Sequence, residues 1–186
     1  MPDALVPFLL GFAVGSIPVA WLFVRLAKRR DVSKEGSGNV GAMNALRVAK
    51  SKWVGVGVMV LDACKGAAAV GLAIWWQDGW AFDALAAAAL GVIAGHNYNP
   101  WLSIAQRKLV GGKGFAAAAG AMLVFRPWLV ALWLGTTLVT WLLLRRTRGI
   151  TDEAPSSAFA TLAMIGWSLL VYDVPTAWMC AAISVL

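Results

Sequence analysis

The chain is dominated by apolar runs longer than a water-soluble helix needs. The first, from about Ala4 to Leu26, is apolar apart from Ser16 and Arg25 and reaches the ~20 residues that carry a helix across a bilayer. Trp53 to Trp76 is a second, interrupted by Asp62 and Lys65, and Trp80 to Ala94 is a third. Phe115 to Phe125 and Trp128 to Leu144 are separated by Arg126-Pro127. Because Pro127 turns Arg126 away from helical backbone, a short span followed by a full one is predicted rather than one long helix. Ser156 to Val171 gives a sixth span, and Pro175 to Leu186 begins a seventh. Twelve residues of helix cover only ~18 Å of a ~30 Å hydrocarbon core, so that span is incomplete. The predicted fold class is all-α: a polytopic transmembrane helix bundle of about seven spans, forming a single integral membrane domain over residues 1–186. Apolar residues at 60%, charged ones at 13% and a mean hydropathy of +0.73 agree with a bilayer as solvent.

Charge placement orients the bundle. If the loop from Lys28 to Lys52 is cytoplasmic, it holds seven basic residues (28, 29, 30, 34, 47, 50, 52), and alternation puts 107, 108, 113, 145, 146 and 148 on the same side. Thirteen of the sixteen cations then face the cytoplasm, while Asp3, Asp78, Asp83 and Asp173 lie outside, which the positive-inside rule reads as an outside N-terminus. Trp75, Trp76 and Trp80 suit an aromatic belt at an outer boundary. Asp3 stands where a secretory signal would be basic, so the first span is expected to persist in the mature protein. Cys64 and Cys180 both fall in apolar runs and read as packing residues rather than a disulfide.

Between these spans sit two glycine-rich segments. The first reads Gly36-Ser37-Gly38-Asn39-Val40-Gly41-Ala42-Met43-Asn44-Ala45-Leu46-Arg47 and the second Gly111-Gly112-Lys113-Gly114. Glycines that let backbone amides approach an anion, beside a fixed cation, are what a phosphate cradle requires. In the first segment Ser37, Asn39 and Asn44 offer neutral hydrogen bonds and Arg47 a bidentate fork. The second precedes an apolar helix whose N-terminal amides and dipole would favour an anion. It is not a nucleotide-binding P-loop, because Gly-x-x-x-x-Gly-Lys-Ser/Thr is absent: Gly114-Phe115 follows Lys113. The competing reading is a turn whose lysine only orients the chain; Arg47 likewise could be a topogenic charge. His96, the one histidine, meets the cytoplasmic end of the third span, either as an interfacial cap or as a general base or phosphate ligand. Asp62 and Lys65, three residues apart within a span, are expected to pair, as a structural brace or as support for the site. No metal site is expected.

The runs Ser37-Gly38-Asn39-Val40-Gly41-Ala42-x-Asn44-x-x-Arg47, Leu61-Asp62-x-x-Lys65-Gly66, and Gly95-His96 followed by Gly111-Gly112-Lys113-Gly114 resemble the bacterial acyl-phosphate:glycerol-3-phosphate acyltransferases, the PlsY family. The resemblance extends to about Gly120. It implies a seven-span inner-membrane enzyme, with its site on the cytoplasmic side, that moves an acyl chain from acyl phosphate to the 1-hydroxyl of glycerol 3-phosphate and yields lysophosphatidic acid. By matching position it implies Ser37, Arg47 and Lys113 as phosphate ligands, with Gly38, Asn39, Gly111, Gly112 and Gly114 in the cradles. Asn44 and His96 are then site groups, with Asp62 and Lys65 in support. Acyl phosphate is the expected donor, since the His-x-x-x-x-Asp pair of thioester-using acyltransferases is absent: Trp101 stands where the aspartate would be. The implied partners are the two substrates, the lipid bilayer and, transiently, the enzyme that forms the acyl phosphate; neither nucleic acid nor a cofactor is expected. The family's third motif, His-x-x-Asn-x-x-Arg-Leu with a following Gly-x-Glu, has no counterpart, and Thr151 to Ser157 departs from the family pattern. The expectation drawn from this is a chain truncated at Leu186 and inactive as it stands. A phosphate or phospholipid binding or transport protein, or an inactive truncated homologue, are the alternatives.

Overall fold

The computed structural model describes residues 2–148. The sixth and seventh predicted spans, the Thr151 to Ser157 segment, Asp173 and Cys180 lie outside the described residues. Every regular element among the described residues is helical: α1 (Pro2–Gly15), α2 (Val19–Lys28), α3 (Ala42–Ala49), α4 (Lys52–Trp76), α5 (Phe82–Asn97), α6 (Pro100–Gln106), α7 (Phe115–Phe125) and α8 (Pro127–Arg148). The all-α expectation therefore holds. The chain divides into two compact units at Phe125/Arg126, and the first contains α1 to α7. The second is described only through α8, which starts at Pro127 as the proline signal required.

The predicted first span is not one helix. Pro18 has no N–H to give and biases Ile17 away from helical backbone, so α1 stops at Gly15 and α2 restarts at Val19. Taken together as Ala4–Lys28 the pair is still long and apolar enough to cross a membrane, as are Lys52–Trp76 and Pro127–Arg146; α7 is apolar but only 11 residues long.

Glycines set how closely the helices approach. Gly11 and Gly15 on α1 face Gly91 and Gly95 on α5, each pair spaced by four. A Cβ on Gly11 would strike the Ala88 carbonyl, one on Gly15 the Val92 carbonyl, and one on Gly91 or Gly95 the carbonyls of Phe8 and Phe12. The order of these contacts makes α1 and α5 parallel. With lipid tails as apolar as the side chains, such backbone-to-backbone seams are how membrane helices gain packing. Gly66 on α4 meets Ala117 of α7 in the same way, and Gly120 meets Ala63. Phe82 tilts on Phe125 at 5.4 Å while Ile93 lies by Gly114, so α5 and α7 are antiparallel.

These directions bring the segments 29–41 and 107–114 to the same end of the first unit, as alternation of spans requires. A small apolar core underlies them there. Val32 and Val40 of the first loop and Val110 before the second pack with Ala20 and Val24 of α2, Ala45 and Val48 of α3, Val54 and Val58 of α4, and Leu102 of α6. Of the two short helices in this region, α3 lies inside the predicted loop from Lys28 to Lys52 and α6 lies between the third span and the second glycine segment.

Candidate active site

The first loop is organised by one side chain. Asn44 projects from α3 and is 2% exposed. Its Oδ1 accepts from the Ser37 amide at 3.0 Å, and its Nδ2 donates to the carbonyls of Val32 (2.9 Å), Glu35 (3.0 Å) and Asn39 (3.0 Å). Both amide protons and one lone pair of the oxygen are thus engaged by backbone, with three carbonyls sharing the two protons. Gly36 and Gly38 have φ of 62° and 72°, the left-handed region where a Cβ is strained, and a Cβ on Gly36 would also collide with Asn44 Oδ1. Ser37 is exposed at the tip, where its Oγ accepts from the Asn39 amide at 3.5 Å. Upstream, Arg30 bridges Glu35 and the Val48 carbonyl, while Asp31 Oδ1 accepts from the Ser33 amide (3.1 Å) and hydroxyl (2.5 Å). Gln106 at the end of α6 donates to Ser33 Oγ at 2.7 Å, tying the loop to that helix.

The second loop is built by close approach. A Cβ on Gly111 would overlap the Asn97 carbonyl, and one on Gly112 would occupy the position of the His96 ring at Nε2. Gly112 donates its amide to the His96 carbonyl at 3.0 Å, and Gly114 has φ of 70°. The two loops are joined directly: the Val40 amide donates to the Gly111 carbonyl at 3.0 Å.

Behind this joint lies a buried polar cluster. Asp62 and Lys65 pair as expected, with Nζ 2.9 Å from Oδ1, and both are nearly inaccessible. Lys65 Nζ also lies 2.8 Å from His96 Nδ1 and donates to the carbonyls of Gly15 and Ile17, each at 3.1 Å. Those carbonyls are free because α1 breaks there, and the one between them, Ser16, accepts from Asn99 Nδ2 at 2.7 Å. Asn99 Oδ1 in turn caps α6 by accepting from the Leu102 amide at 3.1 Å, with Pro100 at the first helical position. The cluster satisfies a helix break that would otherwise leave buried carbonyls unpaired.

The expected residues therefore fall into three groups. Asp62, Lys65, His96 and Gly112 touch one another; Ser37, Gly38, Asn39 and Asn44 form the first loop; the Val40 to Gly111 bond links the two sets. Arg47 and Lys113 are exposed cations that no described residue engages in an ion pair. The sequence reading missed Asn99 and the carbonyls of Gly15 to Ile17. The signals were present: Asn99-Pro100 is an N-cap followed by proline, and Pro18 lies inside an apolar run.

The sequence pattern of the glycerol-3-phosphate acyltransferase family matches residues 5–186. A glycerol-3-phosphate acyltransferase of Sinorhizobium fredii is 37% identical over 144 residues, 75% of this chain; the chain spans 66%, just under two thirds, of that relative's length. Among solved structures, PlsY, an integral membrane glycerol 3-phosphate acyltransferase, superposes in its glycerol 3-phosphate form with a TM-score of 0.77 at 27% identity, covering 98% of this chain and 84% of that one. Its lysophosphatidic acid form superposes with a TM-score of 0.74 at 26% identity over the same shares. With apolar helices long enough to cross a bilayer and integral membrane neighbours, this is a multi-pass membrane protein. It belongs to the glycerol-3-phosphate acyltransferase family.

Proposed function

We propose that the protein transfers an acyl chain from acyl phosphate to the 1-hydroxyl of glycerol 3-phosphate, giving lysophosphatidic acid, at the cytoplasmic face of a bacterial inner membrane. The observation that carries this reading is the joint between the two glycine loops, which leaves two cations, Arg47 and Lys113, exposed on segments bonded to each other. Family membership and likeness to PlsY in its glycerol 3-phosphate and lysophosphatidic acid forms support it. Seven spans in one membrane domain, with the N-terminus outside, fit the charge distribution.

In the reaction the substrate hydroxyl oxygen bonds to the acyl carbonyl carbon, the bond from that carbon to the phosphate oxygen breaks, and the hydroxyl proton ends on the departing phosphate. Acyl phosphate is a mixed anhydride with a good leaving group, so the protein's task is to align two phosphorylated substrates and neutralise charge. Ser37, Gly38, Asn39 and Arg47 would hold one phosphate and Gly111 to Gly114 with Lys113 the other. Asn44, Asp62 and Lys65 would position these groups. The acyl phosphate would arrive from the enzyme that makes it, by transient contact or through the membrane.

The test is turnover of labelled glycerol 3-phosphate by membranes carrying the protein, with acyl phosphate or acyl-CoA as sole donor. Lysophosphatidic acid from acyl phosphate alone is the expected result. Efficient turnover with acyl-CoA would overturn the donor assignment, and substrate uptake without product would make this a transport protein.

A further inference from the structure

Lys65 has four neighbours around Nζ, and their chemistry fixes the proton on His96. Three lie in hydrogen-bonding geometry: the carbonyls of Gly15 and Ile17 at 3.1 Å and His96 Nδ1 at 2.8 Å. The fourth, Asp62 Oδ1 at 2.9 Å, makes an ion pair without a hydrogen-bonding angle; the same oxygen lies 3.5 Å from His96 Nδ1, longer than a normal hydrogen bond and longer than the 2.8 Å from Nδ1 to Nζ. A buried carboxylate at that distance requires a charged partner, since an unpaired ion inside the bundle is strongly unfavourable. An ammonium has three protons and no lone pair. Its three protons match the three acceptors, so His96 Nδ1 receives a hydrogen bond and cannot carry a proton itself. In a neutral imidazole the proton must then sit on Nε2. That atom faces the Cα of Gly112, where a side chain would overlap it, and no described residue is bonded to it.

We infer that His96 is locked by Lys65 as the Nε2–H tautomer and acts as a fixed hydrogen-bond donor at the second loop, not as a general base. Asp62 keeps Lys65 charged, and the break in the first span supplies the carbonyls that aim it. Lys65 is thus a positioning residue: it acts on a substrate oxygen only through the imidazole. The anion that receives the Nε2 proton is an oxygen of a bound phosphate or of the developing tetrahedral centre, and this last step rests on the acyl-transfer reading.

Because the chain has one histidine, ring 15N labelling gives an unambiguous spectrum in lipid nanodiscs. At neutral pH without substrate, Nδ1 is expected in the unprotonated range and Nε2 in the protonated range, whereas an Nδ1–H tautomer or an imidazolium would overturn the inference. Lys65→Met should release the lock and move a proton onto Nδ1, which then faces Asp62 Oδ1 3.5 Å away; an unchanged spectrum would show that Lys65 does not set the tautomer. For the donor role, His96→Gln, whose amide N–H can stand near the Nε2 position, should retain about ten- to a hundredfold more kcat/KM than His96→Ala. Equal losses in the two variants would remove the donor role. Absence of turnover in the wild type would sink the acyl-transfer reading, and the wild-type spectrum would still decide the tautomer.

Discussion

The two glycine loops look alike as sequence and are built by different physics. In the first, Gly36 and Gly38 are needed because the backbone enters left-handed space, and a single buried side chain, Asn44, collects four backbone groups into one shape. In the second, Gly111 and Gly112 are needed because nothing larger than hydrogen fits between the loop and the end of α5. Glycine in these loops thus marks left-handed turning at Gly36, Gly38 and Gly114 and close approach at Gly111 and Gly112. The difference predicts which variants fail by losing a shape and which by meeting a wall.

The sharpest contrast is expected at Gly111. Its added methyl would press on the backbone carbonyl of Asn97, which has no rotamer through which to yield, so Gly111→Ala should displace the loop from α5 and lower kcat/KM more than a hundredfold. Wild-type turnover there would mean that the second loop is not held by close packing. Next comes Asn44→Ala, which strands buried carbonyls and an amide at about 2 to 4 kcal/mol of stability. Asn44→Asp should rescue the Ser37 amide contact and not the three donations, so chemical unfolding of the two variants should differ little. Full stability of either would transfer the organising role elsewhere.

Lys113→Ala should cost about 1.5 to 3 kcal/mol in kcat/KM with the folded fraction in detergent unchanged, because an exposed cation between two packed glycines contributes to the ligand and not to the loop. Arg47→Lys, which keeps charge but loses the fork, should be impaired as well. Normal kinetics in both would reduce these residues to orientation signals. The smallest effect concerns Asp31. Burial raises its carboxyl, but hydrogen bonds from the Ser33 hydroxyl and amide, helped by Trp21 and Lys34, hold it below the ordinary carboxylate value of 3.8. The lowered group stabilises the loop above that value and loses the contribution as pH falls through the folded value. Amide exchange at Ser33 should therefore be unaffected from neutral pH down to about pH 5 and accelerate only below it, once the base-catalysed rate is corrected for. Acceleration starting near neutral pH would assign the loop's pH response to another group.

Much of this was legible in residue order. Apolar run lengths gave the helices, Arg126-Pro127 gave the α7 to α8 break, and the spacing of Asp62 and Lys65 gave their ion pair. The same proline rule, applied at Pro18, would have found the broken first span, whose apolar flanks masked it. What sequence could not supply is the long-range bonding. That Lys65 reaches back fifty residues to Gly15, or that Asn99 reaches Ser16, depends on which helices pack, and those seams are set by glycine pairs too common in membrane helices to name a partner. The role of Asn44 was also hidden. Asparagine can serve substrate or backbone equally well, and only its burial and four backbone partners distinguish the two.

The proposed shared phosphate site is tested most directly by hydrogen exchange on the protein in nanodiscs with and without saturating glycerol 3-phosphate and a non-hydrolysable acyl phosphate analogue. With both ligands present, slower exchange is expected at the Gly36 and Asn39 amides and again across 113–116, with the already bonded Ser37, Gly38, Val40 and Gly112 amides little changed. Protection confined to one loop, or to neither, in protein that still turns over substrate would contradict a site formed by both.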